Sequence, residues 1–132
     1  MKDELGDRMK LYEGLTGSQL IPLLPTCARI DGRCFSKFTR GLRRPFDETF
    51  SQMMIDTMKF LSEETNATIG YTQSDEITLA WLQPTSRSEI WFNLRHSKIV
   101  SQIAALATLR FYELCLELMP ERASKRPTFD GR

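Results

Sequence analysis

Two short segments with alternating apolar residues stand close together in the middle of this chain of 132 residues. Residues 67–72 and residues 77–82 each alternate apolar and polar side chains, a pattern that is typical of β-strands with one buried face. Only residues 73–76 separate the two segments. So short a connection predicts an antiparallel hairpin with Ser74 and Asp75 at or near its tip.

Two longer segments with helical periodicity stand on either side of this hairpin. Apolar residues recur at three- and four-residue steps over residues 46–61 and again over residues 95–119, so both segments are predicted to be amphipathic helices. The second segment is the more apolar, but Arg110, Glu113 and Glu117 interrupt it. We therefore expect a helix of the protein core and no contact with a membrane.

A shorter apolar stretch, residues 26–30, predicts a buried strand that stops at Asp31 and Gly32. A short helix and a tether are predicted for residues 1–24. Over residues 25–132 the order is then strand, helix, strand, strand, helix, which is a split βαβ or ferredoxin-like unit without its last strand. We predict an α+β fold in one domain, with an antiparallel sheet, helices on one face and the last strand missing.

The composition excludes several kinds of site. The three cysteines, Cys27, Cys34 and Cys115, are scattered and odd in number, which argues against a disulfide framework and favours a reducing, cytoplasmic setting. His96 is the only histidine, so a zinc site with several histidines is excluded within one chain. The formal net charge is +1, and any basic surface must therefore be local.

Acidic residues lie at the end of the first predicted strand and in the loop of the predicted hairpin. Asp31 follows the first strand, and Asp75 with Glu76 lies in the hairpin. The predicted topology makes these strands neighbours, and two carboxylates that close repel each other unless a cation lies between them. Mg²⁺ is commonly bound by one or two carboxylates together with substrate phosphates. Phosphoryl or nucleotidyl transfer is the chemistry that this pair predicts.

Basic residues and a glycine accompany the first acidic turn. Backbone N–H groups after Gly32 are placed to cradle phosphate oxygens. The cations near this turn and at the start of the second long helix are Arg29, Arg33, Lys37, Arg40, Arg43, Arg44, Arg95 and Lys98. Each motif by itself also has a structural explanation, since Asp-Gly is a common turn and a basic stretch is often a solvated loop.

Five motifs in order resemble the tRNA-His guanylyltransferase family over nearly the whole chain. They are residues 29–38, Arg44-Pro45, residues 70–76, residues 95–98 and residues 129–132. The opening segment, residues 5–13, looks like the branch of guanylyltransferase-like proteins that repair tRNA 5′ ends.

The resemblance implies a polymerase-like palm that adds nucleotides to the 5′ end of tRNA in the 3′-to-5′ direction. The reaction would be guanylylation of tRNA-His or repair of truncated 5′ ends. Residues 1–132 would form the N-terminal part of one catalytic domain, with the C-terminal portion of the family absent. The implied partners are tRNA, GTP, ATP and other nucleoside triphosphates, and the implied assembly is a homotetramer.

The resemblance also implies roles for individual residues. Two Mg²⁺ ions would be held by Asp31, Asp75 and the carbonyl of Gly32, with Glu76 beside the catalytic carboxylates. The residues implied to contact nucleotide or the tRNA end are Arg29, Arg33, Cys34, Phe35, Arg44, Ser74, Arg95 and Lys98.

Two alternatives remain open. A palm-fold nucleotide cyclase uses a similar pair of acidic turns, although the chain has no Gly-Gly-Asp-Glu-Phe signature. A nucleotide- or RNA-binding module without catalysis is the other alternative, and the presence of both Asp31 and Asp75 argues against a decayed site.

Overall fold

The computed structural model describes residues 4–82 and 95–132. The helices are α1 (Glu4–Thr16), α2 (Phe35–Phe38), α3 (Glu48–Thr65) and α4 (His96–Leu118), with a 3₁₀ helix at Pro120–Lys125. The strands are β1 (Thr26–Gly32), β2 (Ile69–Gln73), β3 (Glu76–Trp81) and β4 (Phe129–Gly131). The predicted hairpin is confirmed as β2 and β3, and the strand order in the sheet is β2-β3-β1-β4.

All pairs in this sheet are antiparallel, and the long helices cover one face of it. β1, α3, β2, β3, α4 and β4 follow one another in the order of a ferredoxin-like unit, so the predicted α+β fold class is confirmed. The buried face carries Ile30, Ile77 and Leu79, which are fully buried. α3 packs on the β2–β3 side, and α4 packs on the β1–β4 side.

The expectation that the last strand is missing is wrong. β4 pairs with β1 through the partners Ile30 with Gly131, Asp31 with Asp130, and Gly32 with Phe129. It therefore covers the edge of β1 that an incomplete unit would leave open. The sequence pattern missed β4 because a strand of three residues is too short to show a recognisable alternation.

The α3 helix begins later than its apolar pattern predicts. Asp47 is its N-cap, and the Asp47 carboxylate accepts a hydrogen bond from the Phe50 N–H at 2.9 Å. Phe46, which the helical periodicity included, precedes the cap and is exposed. The local capping interaction outweighs the apolar spacing at this end of the helix.

By length and composition alone, α4 is long and apolar enough to cross a membrane. In the structure one of its faces belongs to the core, as the sequence predicted, with six buried residues: Ile99, Ile103, Ala107, Phe111, Leu114 and Cys115. At the centre of that core, the Phe111 ring lies between the rings of Phe35, Phe38, Phe50 and Phe129, with centroid distances of 5.3 to 6.1 Å.

Candidate metal and nucleotide site

Strand alternation places the acidic residues on the face of the sheet opposite the helices. In β1 the side chain of Ile30 is buried, so Arg29 and Asp31 lie on the other face. In β3 the same alternation puts Glu76 on that face, and Glu76 is the direct cross-strand partner of Asp31. The two carboxylates are neighbours because the register of β1 with β3 pairs them.

The hairpin tip lies against the end of β1. The Gly32 N–H donates to the Asp75 carbonyl at 3.0 Å, which places Asp75 at the same end of the sheet as Asp31. Gln73 pairs with Glu76, so the loop contains only Ser74 and Asp75. A two-residue loop requires a positive φ at its first position, and Ser74 adopts φ 56°. The Ser74 hydroxyl lies 3.4 Å from a carboxylate oxygen of Asp75.

Burial and neighbouring negative charge raise the pKa of the Asp31 carboxyl above its ordinary value of 3.8. Partial desolvation is the largest cause, followed by the charges of Asp75, Asp130 and Glu76, whereas the Arg132 guanidinium acts in the opposite direction. The negative potential at this end of the sheet is what a bound divalent cation would relieve.

This electrostatic strain predicts a stability gain for Asp31→Asn. Folding raises the pKa of Asp31, so the effect of Asp31 on the free energy of unfolding is most favourable at low pH. The protein loses this stability as the pH rises through the unfolded-state pKa and then the raised pKa of the folded state. At about pH 7 in chelator, Asp31→Asn should unfold at a higher urea concentration than the parent, and this advantage should shrink near pH 3. Asp56→Asn on α3 is the control, and a less stable Asp31→Asn protein at neutral pH would contradict the prediction.

Gly32 is required at its position by the close approach of an aromatic ring. A Cβ at residue 32 would lie 2.5 to 2.8 Å from three ring atoms of Phe35. Phe35 cannot move aside easily, because it is buried and packs against Phe111 and Phe129. Gly32 therefore joins the acidic end of β1 directly to the aromatic core.

Gly32→Ala is expected to destabilise the fold by about 1–3 kcal/mol, the usual cost of overpacking a core. Gly14→Ala is the matched control, since a Cβ there meets nothing within 4 Å and alanine favours the α1 helix. Urea denaturation of both variants measures the difference. Equal midpoints for the two variants would show that Phe35 accommodates the added methyl group.

The structure reduces the number of backbone N–H groups that are available to bind a triphosphate. The Arg33 N–H donates to the Thr128 carbonyl at 2.8 Å and is therefore engaged inside the protein. The Phe35 ring belongs to the core, so that residue has only its backbone to offer. The prediction of amide contacts to phosphate now depends on Cys34, which is exposed and adopts φ 55°, and on Phe35.

The other cations that were predicted to contact nucleotide or tRNA lie in different parts of the structure. The Arg29 side chain lies 3.9 Å from Glu76 on the face of the sheet opposite the helices. Arg44 is exposed before a cis proline, and Arg95 forms an isolated bridge with Gln19 at the start of α4. Lys98 follows within the first turn of α4.

The start of α4 lies toward the other end of β1. Along α4, Thr108 accepts a hydrogen bond from the Phe129 N–H, and the Val100 carbonyl lies where a Gly131 side chain would stand. β4 thus runs toward the beginning of α4 while β1 runs the opposite way. The beginning of α4 therefore lies away from the turn that joins Asp31 and Asp75. The nucleotide contacts of Arg95 and Lys98 stay a prediction.

Asp130 is the acidic neighbour that the sequence reasoning did not assign to the site. It is the cross-strand partner of Asp31 in β4, and its charge raises the pKa of Asp31. The signal was present, since the tripeptide Asp-Gly-Arg occurs at residues 31–33 and again at residues 130–132. Only the pairing of β4 with β1 shows that the two copies meet.

The donor set fits a hard cation. Within residues 4–82 and 95–132, no three side chains of His, Cys, Asp or Glu converge to ligate a metal by themselves. Asp31 and Asp75 with the Gly32 carbonyl would supply oxygen ligands, and Mg²⁺ usually completes such a set with water and substrate phosphates. Burial is the largest cause of the raised pKa of Asp31, and the charges of Asp75, Asp130 and Glu76 add to it. A bound cation would relieve this repulsion.

Comparison with known proteins gives similarity over nearly the whole chain. Residues 6–132 match the family described as tRNAHis guanylyltransferase (Thg1). An uncharacterised protein of Acanthamoeba polyphaga mimivirus is 36% identical over 118 residues, which cover 84% of this chain and 40% of that protein. The tRNA(His) guanylyltransferase of Schizosaccharomyces pombe is 32% identical over 127 residues, which cover 94% of this chain and 46% of that protein.

Solved structures of a bacterial tRNA(His) guanylyltransferase (Thg1)-like protein, in complex with ATP and with GTP, share the fold with TM-scores of 0.88. Their identity to this chain is 35% and 36%, and they cover 98% of it. This chain spans 58% and 62% of those two chains, and less than half the length of the two relatives above. On the family match over residues 6–132, the chain belongs to the tRNAHis guanylyltransferase family.

Proposed function

We propose that this chain carries the metal and nucleotide site of a nucleotidyltransferase that adds nucleotides to the 5′ end of tRNA in the 3′-to-5′ direction. The observation that carries the proposal is the meeting of the Asp31 strand end with the Asp75 hairpin tip through the Gly32 hydrogen bond. Membership of the tRNAHis guanylyltransferase family and the similarity to ATP- and GTP-bound proteins support it. The reaction would be tRNA-His guanylylation or repair of 5′ ends.

Asp31, Asp75 and the Gly32 carbonyl would hold two Mg²⁺ ions. Bound there, Mg²⁺ supplies Lewis-acid stabilisation of the charge that develops on transferred phosphate. The rigid register of β1 with β3 keeps the carboxylates in place, and Glu76 adds negative charge beside them. The fixed position of these groups limits the reorganisation that the transition state requires.

Other residues of the chain would bind and orient the nucleotide. The Ser74 hydroxyl stands at the hairpin tip, and the backbone of Cys34 and Phe35 follows Gly32 on the other side. The ion pair of Arg29 with Glu76 is long and half-exposed, so it contributes little to stability, and Arg29 is available to exchange Glu76 for a substrate phosphate. Arg33, Arg44, Arg95 and Lys98 would extend the contacts along phosphate groups.

The test is 5′-end labelling of tRNA by the purified protein with nucleoside triphosphates and Mg²⁺. We expect nucleotides to be added to a 5′-truncated tRNA or to tRNA-His, and no addition in chelator. Addition that follows the opposite strand would indicate repair, whereas a single G on tRNA-His would indicate guanylylation. No labelling of either tRNA would contradict the proposal.

Two further arms distinguish the alternatives. A nucleotide cyclase would convert GTP or ATP to a cyclic product without RNA, and this protein is expected to form none. A non-catalytic module would bind triphosphate or RNA and transfer nothing. Localisation in the cytoplasm and assembly as a homotetramer stay predictions, for which fractionation and light scattering are the measurements.

A further inference from the structure

Positive charge is concentrated on one flank of this nearly neutral protein. Of the 18 Lys and Arg residues, five lie in residues 33–44 and three in residues 122–126, and neither segment contains Asp or Glu. The two segments are distant in sequence, but α2 packs against the 3₁₀ helix, so that the charges form one surface. We call this surface the basic flank.

Backbone contacts hold the basic flank together. Arg122 donates through its guanidinium to the carbonyls of Phe38 and Arg40, and Lys125 donates to the Lys37 carbonyl at 3.1 Å. The hydrogen bond from the Arg33 N–H to the Thr128 carbonyl joins the same two segments near β1. The acceptors are backbone carbonyls, so these hydrogen bonds hold the side chains of Arg122 and Lys125 in place without neutralising their charges.

A cleft of about 200 Å³ opens between the two segments. Its charged lining residues are Arg33, Lys37, Lys125 and Arg126, and no carboxylate lines it. Lys37, Lys125 and Arg126 are exposed at its rim. The cleft therefore offers several cations to an anion that approaches from solvent.

The size and chemistry of the cleft favour a phosphodiester backbone over a free nucleotide. Pockets for small ligands usually measure roughly 300–1,000 Å³ and are mostly apolar, with the ligand largely buried. This cleft is smaller and basic, and among its lining residues Phe38 is the only aromatic one and is buried. Exposed cations without a stacking surface are typical of contacts to nucleic-acid phosphates that do not read sequence.

The cleft and the Asp75 hairpin lie on opposite sides of β1. Arg33 directly follows Gly32, but the Asp75 hairpin lies on the β3 side of β1, whereas Thr128 and the 3₁₀ helix lie on the β4 side. An RNA strand on the basic flank would therefore reach the turn at Gly32 from the side opposite the hairpin.

We propose that the cleft lined by Lys37 and Arg126 binds phosphates of the RNA substrate and guides its backbone toward the acidic end of the sheet. This inference rests on the proposed function for the identity of the anion as RNA. It assigns RNA contacts to the β4 side of β1, at Lys37 and Arg126, and leaves the triphosphate to the hairpin tip and to the backbone of Cys34 and Phe35.

The experiment measures RNA binding without chemistry, by the fluorescence anisotropy of a labelled RNA hairpin with a 5′-monophosphate. The test variant is Lys37→Gln with Arg126→Asn, because Arg126 has φ 53° and asparagine tolerates that conformation. The matched control is Lys10→Gln with Lys59→Gln, which removes the same charge from exposed positions on α1 and α3. Binding of GTP with Mg²⁺ is measured for each protein.

Two lost phosphate contacts should lower the slope of log affinity against log salt by about 1.5. Between about 50 and 200 mM salt, the parent and the control should then lose about eightfold more affinity than the test variant. GTP binding should be the same in all three proteins. This result supports the proposal whether or not the protein transfers nucleotides, so a failed labelling assay would count against the proposed function alone.

Four results would overturn the proposal. The first is a salt slope of the test variant equal to that of the control, and the second is a parent that does not bind the RNA. The third is a loss of GTP binding by the test variant as large as its loss of RNA binding, which would place the cleft in the triphosphate site. The fourth is competition by polyglutamate as strong as that by RNA, which would indicate an acidic protein as the partner.

Discussion

Replacing Asp31 or Asp75 with alanine is expected to reduce nucleotide addition to a tRNA 5′ end by roughly a thousandfold or more. Each substitution removes one of the two carboxylates that, on the proposed function, would hold Mg²⁺ at the end of β1. For the Asp31 variant, the electrostatics predict that activity is lost without unfolding, because Asp31 lies among Asp75, Glu76 and Asp130 and relief of their repulsion favours the folded state.

Single-turnover labelling of a 5′-truncated tRNA measures the effect, and urea denaturation shows whether each variant is folded. Asp56→Ala is the control, since it removes a carboxylate from α3, away from the sheet face that carries Asp31. Near-parental transfer by either Asp31→Ala or Asp75→Ala would refute the role of the acidic pair. If an alanine variant loses both nucleotide transfer and folding, the isosteric variants Asp31→Asn and Asp75→Asn are measured instead.

The largest expected effect on stability comes from Phe111→Ala, which should cost about 3–5 kcal/mol. Phe111 is fully buried, and its ring centroid lies 5.3 Å from those of Phe35 and Phe129 and 5.5 Å from that of Phe38. The substitution removes these contacts and leaves a cavity, since four surrounding rings cannot all close onto an alanine.

Urea denaturation followed by circular dichroism measures this loss. Leu116→Ala is the control on the same helix, because Leu116 is half-exposed and should cost less than about 1 kcal/mol. If Phe111→Ala leaves no folded protein, Phe111→Leu keeps the comparison measurable with a smaller cavity. Similar losses of stability in Phe111→Ala and Leu116→Ala would contradict the central position of the aromatic cluster.

The aromatic core packs directly against the acidic end of the sheet through Phe35. Phe35 packs against Phe111 on one side and fills the space above Gly32 on the other. A cavity at Phe111 would therefore also loosen the turn that brings Gly32 to the Asp75 carbonyl.

Much of the fold is readable from local patterns in the sequence. The alternation around the hairpin, the helical spacing of α3 and α4 and the turn at Gly32 each depend on residues close together in the chain. The errors also have local causes. Phe46 has the spacing of a helix residue but precedes the Asp47 cap, and β4 is too short to show a strand pattern.

The sequence alone determined the element types, the acidic turns at Asp31 and Asp75 and the family resemblance, because periodicity, turn chemistry and motif order are properties of neighbouring residues. Only the tertiary structure decided that Asp130 faces Asp31, that the Arg33 amide is engaged and that two basic segments form one flank. These features depend on register and packing between segments up to about a hundred residues apart, and no local pattern records which distant residues will meet.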